Sequence, residues 1–276
     1  MLNDPQKDKY TDPEKHYVRV VPFLGISITD ISGIQIAKEA AAAAMIGSRR
    51  LILNVNAHMA MLARREQWLL AKLNSADITF CDGAGVQFGI WLLTGRLPDR
   101  TTPPEWVGEL ASRLPAGASI FWVGGAPGVV EAAASRFAER YGVKIAGTQH
   151  GFFDHRSGSD DNRLLLQRIN EASPDVILVN MGMPLQERWL TDHWTSINAR
   201  IGIVGGALVD HWAGSASRPP RWVANLGLEW LVRLAREPRR LWRRYLFGLP
   251  PFVAIVVAER LRMARHRHLN PRARRT

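Results

Sequence analysis

Residues 50–86 read RLILNVNAHMAMLARREQWLLAKLNSADITFCDGAGV, and this stretch decides the fold. A leucine- and valine-rich run at 50–55 gives way to apolar residues at three- and four-residue spacing across 57–73, and a second short apolar run follows at 77–81. Those two periodicities in that order demand strand, helix, strand. The second strand ends in Asp82-Gly83-Ala84-Gly85-Val86, an acid and two glycines at the point where a strand passes into the next helix.

The same alternation continues on both sides. Strands are predicted at 18–23, 118–123, 144–148, 176–180 and 200–204, and helices at 85–93, 105–113, 129–141, 161–172 and 185–194. A further helix over 34–45 is expected to open at Asp30, a residue type suited to capping. The repetition predicts an α/β fold: a Rossmann-like, mostly parallel sheet with helices on both faces. In such a sheet ligands bind beyond the carboxyl ends of the strands, so the residues just after each strand are where chemistry belongs.

After residue 216 the pattern changes to three helical pieces, 221–236, 238–247 and 252–267, punctuated by Pro238, Pro250 and Pro251. The organisation read from this is a loose polar tail at 1–16, an α/β domain at 17–216 and an Arg-rich C-terminal helical appendage at 217–276. Charge divides the chain at the same place. Residues 217–276 hold fifteen arginines, no lysine and three acids, a net +12, whereas residues 1–216 hold twenty-one bases and twenty-two acids, a net −1. The appendage is therefore the part attracted to a polyanion or an anionic membrane surface. Its longest apolar run, 246–258, has thirteen residues including two prolines, against the roughly 20 needed to span a bilayer, so no membrane crossing is expected. With 46% hydrophobic and 22% charged residues the chain has a globular composition, and its lone cysteine, Cys81, excludes an internal disulfide and fits a reducing cytoplasm.

Four clusters stand at strand ends. Asn54 and Asn56 follow one strand and Asp82 the next, which makes Asp82 a candidate base, although an Asp-Gly pair after a strand is also a common turn or cap. Gly124 and Gly125 lead a strand into a helix N-terminus, an arrangement that can cradle phosphate on free N–H groups and that tight turns equally use for steric reasons. Gln186 and Glu187 follow Pro184 in the first turn of a predicted helix, facing the strand-end cleft, where Glu187 also complements the helix dipole. Gly205-Gly206 with Asp210 forms the fourth. No Asp-x-Asp, His-Glu-x-x-His or Gly-x-Ser-x-Gly motif occurs, so nothing calls for a metal or another cofactor.

Taken in order, Asn54-Val55-Asn56-Ala57-His58, Asp82-Gly83-Ala84-Gly85-Val86, Asp99-Arg100, Val123-Gly124-Gly125, Gly182-Met183-Pro184-Leu185-Gln186-Glu187, Gly205-Gly206, Asp210 with Gly214, Arg218-Pro219-Pro220 and Gly227-Leu228-Glu229-Trp230 with Arg233 resemble the WecG/TagA/CpsF glycosyltransferases. The resemblance implies inverting transfer of a hexose or hexose derivative from a nucleotide-sugar, most often a UDP-sugar. The acceptor it implies is a polyprenyl-diphosphate-linked sugar in bacterial exopolysaccharide or cell-surface polymer synthesis. It casts Asp82 as the catalytic base, Asn54 and Asn56 as polar residues beside it, and Arg100 and Gln186 as groups near donor or acceptor. Members commonly carry Thr at the position of Asn54 and a Gly and an Asp where this chain has Pro103 and Glu105, so the identity of the sugar is not carried over.

Single-displacement transfer also requires the leaving diphosphate to be stabilised, for which Arg100, the Gly124-Gly125 turn, Arg218 and Arg233 are the candidates. The appendage is expected to hold the enzyme at the inner face of the cell membrane, with Trp230, Trp242, Phe247, Phe252 and Ile255 in apolar contact and arginines such as Arg260, Arg262 and Arg265 on anionic headgroups. No specific nucleic acid is expected as partner, and the resemblance admits a homo-oligomer. The competing readings are a basic nucleic-acid-binding protein, which explains the arginines but not the strand-end clusters, and a noncatalytic nucleotide-binding scaffold.

Overall fold

The computed structural model describes residues 19–214, 229–236, 238–239, 242 and 246–269. The expected tail at 1–16 lies outside the described residues, as do residues 215–228 of the appendage, Arg218 among them. Eight strands form one sheet in the order β1-β2-β4-β3-β8-β7-β5-β6, parallel throughout except for the antiparallel β1–β2 pair. The strands are β1 Arg19–Phe23, β2 Ile26–Asp30, β3 Arg50–Val55, β4 Ile78–Cys81, β5 Ser119–Gly124, β6 Lys144–Gln149, β7 Val176–Asn180 and β8 Ile201–Val204.

Strand β2 is not among the predicted elements. It follows β1 through a two-residue turn in which Leu24 and Gly25 both take positive φ, 50° and 88°, the twist that closes a tight hairpin. Leucine is a poor signal for that conformation, so the hairpin leaves no mark in the sequence pattern. Asp30 is consequently the last residue of β2. Helix α1, Gly33–Met45, opens instead at Ser32, whose hydroxyl accepts the Gln35 N–H while the Gln35 side chain reaches back to the Ser32 N–H.

The remaining helices follow the expected crossovers. One predicted helix, 57–73, is two: α2 Ala57–Ala63 and α3 Gln67–Ser75, separated at Arg64-Arg65-Glu66. Next come α4 Ala84–Thr94, α5 Pro103–Arg113, α6 Val129–Tyr141, α7 Asp160–Ala172, α8 Leu185–His193 and a short α9 Leu208–Trp212. Pro103 and Glu105, which depart from the family pattern, start α5. Pro103 stands in its first turn, and the Glu105 carboxylate accepts the Thr102 N–H at 2.8 Å in a capping box.

Side chains alternate along each strand and build two cores. Leu51, Leu53, Val55, Val123 and Val179 face α2, α3, α4, α7 and α8, whereas Ile52, Phe80, Trp122, Leu178 and Ile203 face α1, α5, α6 and α9. Burial of each such side chain contributes about 1.5–3 kcal/mol before entropy is counted. The neighbours β3 and β8 feed helices on opposite faces, α2 on one and α9 on the other. Their diverging connections open a crevice at the carboxyl end of the sheet, the topological switch point where open α/β sheets hold ligands.

Two described helices follow, α10 Glu229–Arg236 and α11 Leu249–Leu269. Pro250 and Pro251, expected to break the chain, occupy the first turn of α11, where their missing N–H groups cost nothing. Phe252, expected at a membrane, is 2% exposed and packs on the body. Its ring lies 6.2 Å from that of Phe23 and against Gly85 and Gly89 of α4, and Val256 one turn on is buried as well. Trp242 and Phe247 are exposed, Ile255 is half-buried, and the side chains of Trp230 and Arg233 lie outside the described residues. Among the described residues no helix is long and apolar enough to cross a membrane.

Candidate active site

Strand register brings Asn54 and Asp82 together. Asn54 of β3 stands opposite Phe80 of β4, and Asp82 comes two residues after Phe80, so both side chains leave the sheet on the same face at its carboxyl end. The Asn54 amide Nδ2 donates to Asp82 Oδ2 at 2.5 Å, while the Asp82 N–H donates to the Val55 carbonyl and continues the ladder one residue beyond the strand. Asn54 is buried; Asp82 is only half-buried, at the mouth of the crevice. The amide thus orients a carboxylate that solvent still reaches.

Arg100 arrives on the loop after α4. The Thr101 N–H donates to the Cys81 carbonyl at 3.1 Å, and the Asp99 N–H donates to the Asp30 carboxylate at the end of β2, which moors the loop beside β4. Arg100 is close enough to act electrostatically on Cys81 together with Asp82 and Asp30. Burial, and after it the charge of Asp82, push the Cys81 thiol far above its ordinary value, so this cysteine is an inert core residue.

Asn56 caps α2: its Oδ1 accepts the Met59 N–H at 3.1 Å, and its Nδ2 lies 3.6 Å from the sulfur of Met183 in the turn after β7. The turns after β3 and β7 therefore touch, and β8 lies between those strands in the sheet, its Gly205 and Gly206 leading to the half-buried Asp210 in α9. Asn54 and Asp82 are thus in direct contact with Arg100 near by, while Asn56 caps α2 beside the turn after β7 and Asp210 stands in the first turn of α9.

Two expectations are corrected. Gln186 does not face the cleft; it is fully buried, and its Oε1 accepts the N–H groups of Gly182 and Gly206 at 3.2 and 3.1 Å. Its Nε2 donates to Glu187 Oε1 at 2.7 Å. Gln186 thus ties the turns after β7 and β8 to each other from beneath. Gly125 does not offer its N–H to a phosphate, because the Asn180 carbonyl accepts it at 3.2 Å. Gly124, at φ 117°, leaves no room for a Cβ, which would fall 2.3 Å from the Asn180 carbonyl carbon and oxygen. The steric account of these two glycines is the one the structure favours.

Asn180, at the end of β7, opens the strand-end cluster that contains Gln186 and Glu187, and its sequence context gives it no role of its own. It is buried between the β5 and β8 turns, its Nδ2 directed at the Val123 and Leu178 carbonyls and its Oδ1 without a hydrogen-bond partner. Asn54 Oδ1 and Glu187 Oε2 are likewise buried without one. Three side-chain oxygens without a protein hydrogen-bond partner thus lie at the carboxyl end of the sheet.

Glu187 is the outlier in charge. Burial pushes its carboxyl up to about 7, opposed in part by the Gln186 hydrogen bond. Below pH 4.5, the ordinary value, folded and unfolded chains both hold this proton. Between there and about 7 only the folded chain does, so its contribution to stability is lost as pH rises through that window and is constant above it. The loss amounts to about 3 kcal/mol. Glu187→Gln keeps the shape without the titration, so the mutant is expected to gain up to that amount over the parent at pH 8 and nothing at pH 4. Denaturant melts of both proteins at the two pH values check this, and a pH-independent difference would remove Glu187 as the cause.

A second hollow, lined by Asp154, Arg156, Ser157 and Gly158 to Asp161, lies on the loop between β6 and α7. Three carboxylates against one guanidinium, itself paired to Asp154 at 2.5 Å, make it a poor host for a diphosphate.

Residues 21–266 match the family described as the Glycosyl transferase WecG/TagA/CpsF family. The chain is also similar to the N-acetylglucosaminyldiphosphoundecaprenol N-acetyl-beta-D-mannosaminyltransferase of Bacillus subtilis (strain 168). The two share 28% identity over 211 residues, which span 76% of this chain and 79% of that relative.

Proposed function

From the premise that the chain belongs to the WecG/TagA/CpsF glycosyltransferase family, we propose that it moves a hexose or hexose derivative from a UDP-sugar to a sugar carried on polyprenyl diphosphate, inverting the anomeric centre. The product feeds a bacterial exopolysaccharide or other cell-surface polymer, made at the inner face of the cell membrane. The name of the Bacillus relative, a transferase onto a diphosphoundecaprenol-linked sugar, supports the acceptor class.

The observation that carries the reading is the half-buried Asp82 carboxylate, oriented by Asn54 at the switch-point crevice. An acceptor hydroxyl seated within about 3 Å gives its proton to Asp82 as its oxygen attacks the anomeric carbon. The bond from that carbon to the diphosphate oxygen breaks, and the electron pair leaves with the nucleotide. Arg100, whose charge acts on Cys81 next to Asp82, is the guanidinium we assign to the charge that gathers on the leaving group. Arg218 and Arg233 are further candidates for that role.

Calorimetric titration with a panel of nucleotide-sugars, followed by mass spectrometry of a short-chain lipid-diphosphate-sugar incubated with the one that binds, tests the proposal. A product heavier by one hexose-class residue is expected. Nucleotide binding without transfer to any lipid-diphosphate-sugar would favour the scaffold reading instead.

A further inference from the structure

Helix α4 begins just after the candidate base and carries a pair of exposed aromatic rings. Phe88 and Trp91, one turn apart, are 51% and 45% exposed, with ring centroids 5.5 Å apart. Past the helix end, Arg96 and Leu97 are exposed too, Leu97 to 67%. The neighbouring α11, docked on α4 through Phe252 and Val256, turns Val253, Val257 and Leu261 outward together with Arg260, Arg262 and Arg265.

We propose that α4 is a membrane wedge: Phe88, Trp91 and Leu97 enter the headgroup and upper acyl region of an anionic phospholipid leaflet, with Arg96 and the outward arginines of α11 on the phosphates. This rests on the proposed lipid-linked acceptor and moves the contact from the appendage alone to the catalytic body. The composition fits a bilayer interface, where aromatic rings and Leu bury while guanidinium groups stay at headgroup level. It does not fit a second copy of the chain. A two-fold contact across this surface would set Arg96 and the α11 arginines against their own counterparts, and among the described residues Glu259, the acid of α11, is already paired with Arg262 at 2.6 Å. A wedge on α4 also has a geometric consequence. The helix runs from Gly83 at the mouth of the crevice, so seating its outer face on the leaflet holds Asp82 within reach of a diphosphate-sugar anchored there.

The test uses the full chain and vesicles of equal parts phosphatidylglycerol and phosphatidylcholine. Phe88→Ser combined with Trp91→Ser is expected to weaken cosedimentation at least about tenfold, since two half-exposed rings lose their burial, while transfer to a short-chain acceptor in water stays at the parent rate. Separately, Phe88→Cys carrying an environment-sensitive fluorophore is expected to shift to the blue on adding vesicles. The native Cys81 is buried and does not compete for the label. Parent-like cosedimentation of the double mutant, no binding by the parent itself, or an unshifted fluorophore each overturns the wedge. So does a change in sedimentation-velocity mass without a change in vesicle binding, which would assign the surface to self-association. Failure of the acceptor reading shows differently: no transfer in water by either protein, with the vesicle results unaffected.

Discussion

Asp82→Asn is expected to lower kcat by about 10²–10⁴-fold, the range that general-base assistance supplies, with little change in the KM for the nucleotide-sugar. The substitution is nearly isosteric at a half-buried position, and its backbone N–H still bonds to the Val55 carbonyl at 2.9 Å. The new amide can keep its oxygen toward Asn54 Nδ2, so the local geometry survives while the basic oxygen is lost. Steady-state kinetics on a short-chain lipid-diphosphate-sugar, with a thermal melt to show the fold intact, separates these outcomes. A kcat within a few-fold of the parent would take Asp82 out of the chemistry. Asn54→Ala offers a graded control: it frees the carboxylate to rotate without removing it, so its defect should be smaller and should lie in kcat.

The pairing behind that result was half legible. In sequence Asp82 is an acid followed by glycines at a strand end, a pattern that turns and caps share, and it is the resemblance that casts it as the base. The hydrogen bond that couples Asn54 to Asp82 depends on register between strands separated by α2 and α3, and register is a tertiary property. Gln186 shows the opposite failure. A polar residue in the first turn of a helix after a strand reads as a cleft residue, yet the turns after β7 and β8 close over it and take both lone pairs of its carbonyl. Nothing in local patterning separates a glutamine that touches substrate from one that braces the loops that do.

Elements with strong periodicity and local punctuation were read well, and those fixed by a single unusual dihedral were not. Helix α6 runs from Val129 to Tyr141 as predicted, because Gly128 and Gly142 bracket an uninterrupted amphipathic stripe. The β1–β2 hairpin escaped because its turn uses Leu24 at positive φ. The break between α2 and α3 escaped because the apolar spacing continues across Arg64-Arg65-Glu66 even though the hydrogen bonding does not: the Leu62 carbonyl takes both the Arg65 and Glu66 N–H groups and closes the turn. Of the proline pair at the head of α11, sequence shows only that no helix can run through it; whether it ends one helix or begins the next is decided by Phe252 finding its place on α4.

Gly124→Ala is expected to destabilise the protein by about 2–6 kcal/mol, the sum of forcing an L-residue into a sparsely populated backbone region and of overpacking a closed site. At φ 117° the added methyl meets the Asn180 carbonyl at 2.3 Å, and that carbonyl is itself engaged by the Gly125 N–H, so it cannot swing aside without opening the β5–β7 pairing. Asn180 is hemmed in from the other side as well, where a Cβ on Gly205 would fall just as close to its Oδ1. Gly128 supplies the comparison: it also has positive φ, 78°, but nothing lies within 4 Å of a Cβ there, so Gly128→Ala should cost only the backbone strain, about 1–2 kcal/mol. Urea denaturation of the two mutants separates contact from dihedral. If they lose equal stability, close packing of the strand ends is not why β5 terminates in glycine. Space for a ligand against the backbone would then be the better reason.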